Sequence, residues 1–167
     1  MKLSFYNATL ICFLLFFSPK IYSQLTALDS KLEAALIDLN IDKDGLNGSV
    51  LTSSIDKITS LNLSGYTGIS NLKGIEGFAA LKSLNISNTA IPNLSFLSQI
   101  PKISTLIASN LEYLQIVDIN NNFIKTLILS DNIILSSLKI NSTSLISLHV
   151  NGTRNVREPG LRMSVAL

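Results

Sequence analysis

The sequence predicts an α/β repeat solenoid, a stack of about five coils of 21–23 residues with short parallel strands and an N-terminal α-helical cap. Two observations predict this fold. The pattern apolar-x-x-apolar-x-apolar begins at five places that are nearly evenly spaced along the chain. A segment with apolar residues at helical spacing precedes the first copy. The five copies begin at Ile58, Leu81, Ile103, Ile124 and Leu145.

Each copy predicts a short strand, because its last two apolar residues alternate with polar ones and successive side chains of a strand point to opposite faces. One repeat cannot bury its apolar edge alone, so the inward residues are expected to stack into a continuous core. The predicted inward pairs are Leu61 and Leu63, Leu84 and Ile86, Leu106 and Ala108, Leu127 and Leu129, and Leu148 and Val150.

The return segments carry two further patterns. Half-repeats at Leu111, Leu114 and Ile116, and at Leu135, Leu138 and Ile140, imply very short turns on the far side of the coils. Polar residues that follow the strands are expected to hydrogen-bond the turn backbone inside the coil. The residues that fit this position are Thr67, Thr89, Asn132 and Thr153. The third repeat offers Asn110 only out of register.

The segment ahead of the repeats predicts an amphipathic helix. Apolar residues recur at helical spacing up to Asn40, and Thr26 with Asp29 resembles a capping box. The apolar residues are Leu28, Leu32, Leu36 and Leu39. A solenoid exposes its first coil, so the helix is expected to cap the stack. Residues 42–48 resemble a calcium loop, but their glycine comes too early for an EF-hand, and a turn is the preferred interpretation.

The chain divides into four predicted segments. Residues 1–23 resemble a secretory signal peptide, with Lys2 near the start, an apolar run from Leu10 to Phe17 and cleavage after Ser23. That run is too short to span a bilayer, which needs about 20 residues, so we expect a secreted or cell-surface protein without a transmembrane span. The other segments are the cap and turn at 24–57, the repeats at 58–153, and a tail or incomplete cap at 154–167, where a terminal capping strand is an alternative.

Composition excludes several classes of protein. An apolar content of 47% excludes a disordered chain. One cysteine, Cys12, and one histidine, His149, cannot make an internal disulfide or a Cys/His zinc site, and no metal or cofactor is predicted. The net charge of +2 is small and the basic residues are scattered, which argues against nucleic acid as a partner.

The outward strand positions, which would line the concave face, are the candidate binding surface. The candidate ligand-binding residues are Asn62, Asn85, Ile107, Ile128, His149 and Asn151. Ile107 and Ile128 are adjacent and apolar, and they are the candidate anchor. Five strands give about 200–300 Å² of projected surface, whereas a standard interface buries about 800 Å² per partner. A tight protein complex would therefore need contacts from the flanks of the sheet or from further repeats. The alternative is that the small polar residues only keep this face soluble.

No catalytic site is predicted. A glycan-cleaving enzyme on a β-helix would need paired carboxylates or a metal cluster on one face, and no acidic residue occupies an outward strand position. No Gly-x-Ser-x-Gly motif occurs, and His149 lacks placed partners for general acid–base work.

Three stretches carry a family resemblance: Leu-Asn-Leu-Ser-Gly at 61–65, Ile-Ser-Asn-Leu-Lys-Gly-Ile at 69–75 and Leu-Asn-Ile-Ser-Asn at 84–88. With a period inside the range of about 20–29 residues for leucine-rich repeats, the sequence from Thr26 to Thr153 resembles bacterial extracellular leucine-rich repeat proteins of the internalin-like kind. Two features depart from that family. The polar position after each strand is mostly threonine, and we do not expect a surface-sorting domain in the residues that follow the repeats.

The resemblance implies a non-catalytic module that binds a protein or glycan at or outside the cell surface, often in adhesion. Two alternatives stay open. One is a purely structural repeat or a fragment of a larger receptor or adhesin. The other is a polysaccharide-active β-helix enzyme.

Overall fold

A computed structural model describes residues 24–120 and 123–153, together with the backbone of a strand at Arg162–Ala166. The predicted signal peptide at 1–23 and the rest of the predicted tail lie outside these residues. In the described part of the chain, every helix is too short or too polar to cross a bilayer.

The described chain is a parallel-strand β-solenoid of about four turns with few helices, which confirms the solenoid part of the predicted fold. Ahead of the repeats lie β1 (Leu25–Ala27), α1 (Ser30–Asp38), β2 (Ser49–Leu51) and α2 (Thr52–Ile55). The repeats contain β3 (Ser60–Asn62), the 3₁₀ helix η1 (Ile75–Gly77), β4 (Ser83–Asn85), the 3₁₀ helix η2 (Ser95–Ser98), β5 (Thr105–Ile107), β6 (Ile116–Asn120), β7 (Thr126–Ile128), β8 (Ser137–Asn141) and β9 (Ser147–His149). A last strand, β10 (Arg162–Ala166), lies in the segment that follows the repeats.

The first sheet forms the front wall of the solenoid, in the order β3-β4-β5-β7-β9, with every neighbouring pair parallel. Its register places one leucine from each coil opposite the next, as predicted. The column is Leu61, Leu84, Leu106, Leu127 and Leu148. The first four are buried and Leu148, in the last strand, is half-buried. Burial of such a column is the main favourable contribution to folding.

A second parallel sheet, in the order β6-β8-β10, forms the back wall of the later coils. It corrects the predicted half-repeat at residues 111–116, since Val117 pairs with Leu138, Ile119 pairs with Ile140, and Ile116 is 57% exposed. The repeating unit therefore begins at Leu114 and, one coil later, at Leu135. The expectation of very short turns on the far side is wrong, because that side carries strands.

Polar side chains inside the turns satisfy the backbone at three of the four predicted positions. The Thr89 hydroxyl donates to the Ile86 carbonyl at 2.7 Å and is buried. The Thr153 hydroxyl donates to the Val150 carbonyl at 3.2 Å. Thr67 is exposed and the prediction for it is wrong, because half-buried Tyr66 packs against the core at the equivalent position.

Asn132 serves two coils at once. Its amide nitrogen donates to the carbonyls of Ala108 and Leu129, at 2.9 and 2.7 Å, and its amide oxygen accepts from the backbone N–H of Leu111 at 2.8 Å. Leu111 occupies the turn position of the third coil, where the sequence has no polar residue. Asn132 therefore supplies the hydrogen bonds that the third coil lacks.

The N-terminal segment differs from its prediction in detail. The N-cap of α1 is Asp29, whose carboxylate accepts from the backbone of Lys31 and Leu32, whereas Thr26 lies in β1, which pairs antiparallel with β2. The helix ends at Asp38, because Asn40 takes a left-handed backbone, and Leu39 is left exposed.

Residues 42–48 form a turn that is tied to α1. Buried Glu33 accepts from the backbone N–H groups of Asn47, Gly48 and Ser49, at 2.7, 2.8 and 3.3 Å. The Asp42 carboxylate accepts from the backbone N–H of Asp44 at 3.1 Å. The preferred interpretation of these residues as a turn agrees with these contacts.

Candidate functional site

The outward face of the front wall presents the side chains that alternate with the buried column. Two rows lie on the strands and a third lies just past their ends. The first row is Ser60, Ser83, Thr105, Thr126 and Ser147. The second row is Asn62, Asn85, Ile107, Ile128 and His149. The third row is Ser64, Ser87, Ser109, Ser130 and Asn151, in the following turns.

Five of the six predicted ligand-binding residues form the second row, which we call the central row. Strand register brings them together, because parallel neighbours align position by position at about 4.8 Å. Asn62 and His149 are exposed at the two ends, whereas Asn85, Ile107 and Ile128 are half-buried. The sixth predicted residue, Asn151, is exposed but belongs to the third row.

The two asparagines of the central row are already engaged with their own turns. The Asn62 amide oxygen accepts from the backbone N–H of Ser64 at 3.1 Å, and that of Asn85 accepts from Ser87 at 3.0 Å. Each amide keeps its NH₂ group for a ligand. These residues therefore stabilise the turn and present donors to the surface.

Ile107 and Ile128 occupy the middle of the central row as Cα partners in register. Both are half-buried, so part of each side chain remains accessible. Hydroxyl and amide side chains surround them in the neighbouring rows. The result is a small apolar centre with a polar rim, which is the composition of the core and rim of many protein interfaces.

His149 ends the central row beside Ser147. Its Nδ1 lies 3.4 Å from the Ser147 hydroxyl oxygen, and both side chains lie on the last strand of the sheet. None of the three rows contains a carboxylate, a lysine or an arginine. Across the described residues, no group of three or more His, Cys, Asp or Glu side chains is placed to hold a metal ion.

A groove along the turns was missed by the sequence analysis. We call it the turn groove. It has a volume of about 450 Å³ and spans equivalent positions of neighbouring coils. Its lining residues are Thr67, Asn88, Thr89, Ala90, Asn110, Leu111, Glu112, Tyr113, Asp131 and Ile133.

A periodic signal in the sequence marks one side of the turn groove. Five residues that follow the strands have positive φ angles, between 52° and 84°. They are Gly65, Asn88, Asn110, Asp131 and Gly152, and each lies one repeat period after the one before it. Glycine, asparagine and aspartate tolerate the left-handed region best. This row could have been found by asking which residue types recur at the repeat period.

Comparison of the chain with protein-family profiles, with curated proteins and with solved structures finds no significant match.

Proposed function

We propose that the protein is a secreted, non-catalytic recognition module whose central row binds a protein or glycan ligand at or outside the cell surface. The observation that carries this proposal is the register of the front wall, which aligns Asn62, Asn85, Ile107, Ile128 and His149 in one outward row. An aligned row offers a ligand several contacts on rigid strands, so little ordering is needed on binding.

The chemistry of the row favours recognition over reaction. The apolar pair Ile107 and Ile128 excludes water from the centre of the contact, and the surrounding hydroxyls and amides fix the orientation of the ligand. The rim carries no charge, so long-range attraction of a charged partner contributes little. The three rows carry no pair of carboxylates, which is what most glycoside hydrolases use.

We also propose that the coils are leucine-rich repeats and that α1 caps the stack. The repeat period and the turn bonds of Thr89, Asn132 and Thr153 support the first assignment. For the cap, the support is that Leu32, Ala35 and Leu36 of α1 belong to the same hydrophobic cluster as the leucine column. Secretion is supported by the apolar segment at the start of the sequence.

The proposal is tested by measuring how the mature chain binds to the surface of host or neighbouring cells. The double variant Ile107→Ser/Ile128→Ser should bind at least about tenfold more weakly, a loss of about 1.4 kcal/mol. Ile146→Ser is the matched control, because Ile146 is 81% exposed and lies outside the central row.

Two results would contradict the proposal. Equal binding by the wild type and the folded double variant would leave the central row as a structural surface, in which Asn62 and Asn85 only bond their own turns. Turnover of a glycan or peptide that one substitution abolishes would identify the protein as an enzyme.

A further inference from the structure

We infer that the turn groove is a second binding site, for a neutral oligosaccharide. It lies past the ends of the front-wall strands and shares no residue with the central row. The inference therefore goes beyond the proposed function and does not depend on it.

One side of the groove is a row of hydrogen-bonding side chains. Asn88, Asn110 and Asp131 stand at equivalent positions of three consecutive coils, and all three are exposed. The Asn110 amide nitrogen donates to the Asn88 amide oxygen at 2.6 Å. This bond fixes both amides and leaves the Asn88 nitrogen and the Asn110 oxygen to face a ligand. The Asp131 carboxylate lies over Gly152 of the next coil and closes that end of the row.

The other side of the groove is partly apolar. Tyr113 and Ile133 line it with 53% and 44% of their surfaces exposed, and Glu112 lies beside them. Buried Thr89 and Leu111 form the floor between the two sides. In the described part of the chain, the Tyr113 hydroxyl and the carboxylates of Glu112 and Asp131 accept or donate no hydrogen bond.

This arrangement matches the chemistry of a sugar. A pyranose ring has an apolar face of C–H groups, which packs on an aromatic ring, and an edge of hydroxyls that both donate and accept hydrogen bonds. The volume of about 450 Å³ lies within the range of about 300–1,000 Å³ for small-ligand sites. The groove runs along the stack from Thr67 to Ile133, and three steps between coils span about 14 Å, which accommodates two or three sugar rings.

An extended peptide fits the groove less well. Peptides that add to a sheet edge need unpaired backbone groups. Here the backbone N–H groups of Asn88, Asn110 and Asp131 already donate to the carbonyls of Ser109, Ser130 and Asn151, at 3.0, 3.0 and 2.7 Å. The groove therefore recognises its ligand through side chains.

The charge of the groove selects against acidic sugars. Glu112 and Asp131 are its charged residues, and no lysine or arginine lines it. A uronic acid or a sulfated sugar would bring like charge to these carboxylates, which is unfavourable. A neutral sugar brings no charge, and its hydroxyls donate hydrogen bonds to the carboxylates.

The test is a calorimetric titration of the mature chain with neutral gluco-, manno- and chito-oligosaccharides of three to six rings, with oligogalacturonate as the acidic comparison. At least one neutral series should saturate with a dissociation constant of about 1 mM or below. Tyr113→Ala should weaken binding by at least about tenfold, and Tyr113→Phe by less than about threefold, because the ring supplies the packing. Asn110→Gly keeps the left-handed backbone and should weaken binding by about three- to tenfold.

The control variants separate this site from the central row. Ile146→Ala and Ile107→Ser/Ile128→Ser should bind the same oligosaccharide as tightly as the wild type. The inference is overturned if no neutral series binds, if folded Tyr113→Ala binds as tightly as the wild type, or if oligogalacturonate or an extended peptide competes equally for the groove. If Ile107→Ser/Ile128→Ser loses cell binding but still binds the oligosaccharide, the result supports two separate sites, with the oligosaccharide in the turn groove.

Discussion

The front and back walls of the solenoid are built by different rules. The front wall repeats the same three-residue strand in all five coils. The back wall changes along the stack, from the 3₁₀ helices η1 and η2 in the first two coils to β6, β8 and β10 in the later ones. A regular front wall therefore tolerates two different ways of closing the coil.

Local sequence explains the change in the back wall. The first two steps of the repeat, from Ile58 to Leu81 and on to Ile103, are the longest, and their return segments contain Gly74, Pro92 and Pro101. Gly74 has a φ of 99°, and a Cβ there would overlap the Leu28 side chain and the Ala27 carbonyl. Proline lacks the N–H that a central strand needs. The later, shorter steps lack these residues and alternate apolar with polar at 117–120 and 137–141, which favours strands.

The largest expected effect comes from breaking the front wall. Leu127→Asp should abolish cooperative folding, because Leu127 is fully buried between Leu106 and Leu148 and an unpaired carboxylate there costs several kcal/mol. That cost is comparable to the whole stability of a typical domain, about 5–15 kcal/mol. Circular dichroism during thermal melting measures the loss. Ile146→Asp, on an exposed position, should melt like the wild type, and a normal melt of Leu127→Asp would refute the inward facing of the column.

The next effect tests the register of the back wall. Ile119→Ala should lower the free energy of unfolding by about 2–5 kcal/mol, because it removes a buried side chain from β6. Ile116→Ala, in the same strand and of the same chemistry, should change it by less than about 0.5 kcal/mol, because Ile116 is exposed. Urea denaturation of the two variants gives both values. A larger loss of stability in Ile116→Ala than in Ile119→Ala would instead support the predicted half-repeat that begins at Leu111.

The front wall could be predicted because the same strand pattern recurs in every coil at nearly constant spacing, and five copies fix the register of one another. The back wall could not be predicted from the pattern alone. Leu114 belongs to two overlapping matches, Leu111-x-x-Leu114-x-Ile116 and Leu114-x-x-Val117-x-Ile119, and both satisfy the template. Only the pairing of β6 with β8 selects the second.

The candidate surfaces show the same contrast. The central row was predictable because alternation within a strand decides which side chains point outward, and stacking then aligns them. The turn groove was not, because Asn88 and Tyr113 come from different coils and meet only when the turns stack. Asn132 was predicted to bond its own turn, but its second role, in the third coil, depends on the distance between neighbouring coils.

The smallest of the three stability effects tests that shared bond. Asn132→Ala leaves the carbonyls of Ala108 and Leu129 and the N–H of Leu111 without their buried partner. We expect a loss of about 2–3 kcal/mol, because each unpaired buried group costs about 1–3 kcal/mol and water in the vacated space restores part of the bonding. Thr67→Ala is the control, because Thr67 was predicted to bond the turn of the first coil in the same way. It should change stability by less than about 0.5 kcal/mol because Thr67 is exposed. Amide hydrogen exchange adds a local readout: the Leu111 amide should lose protection in Asn132→Ala, and unchanged protection there would mean that the two coils do not share this side chain.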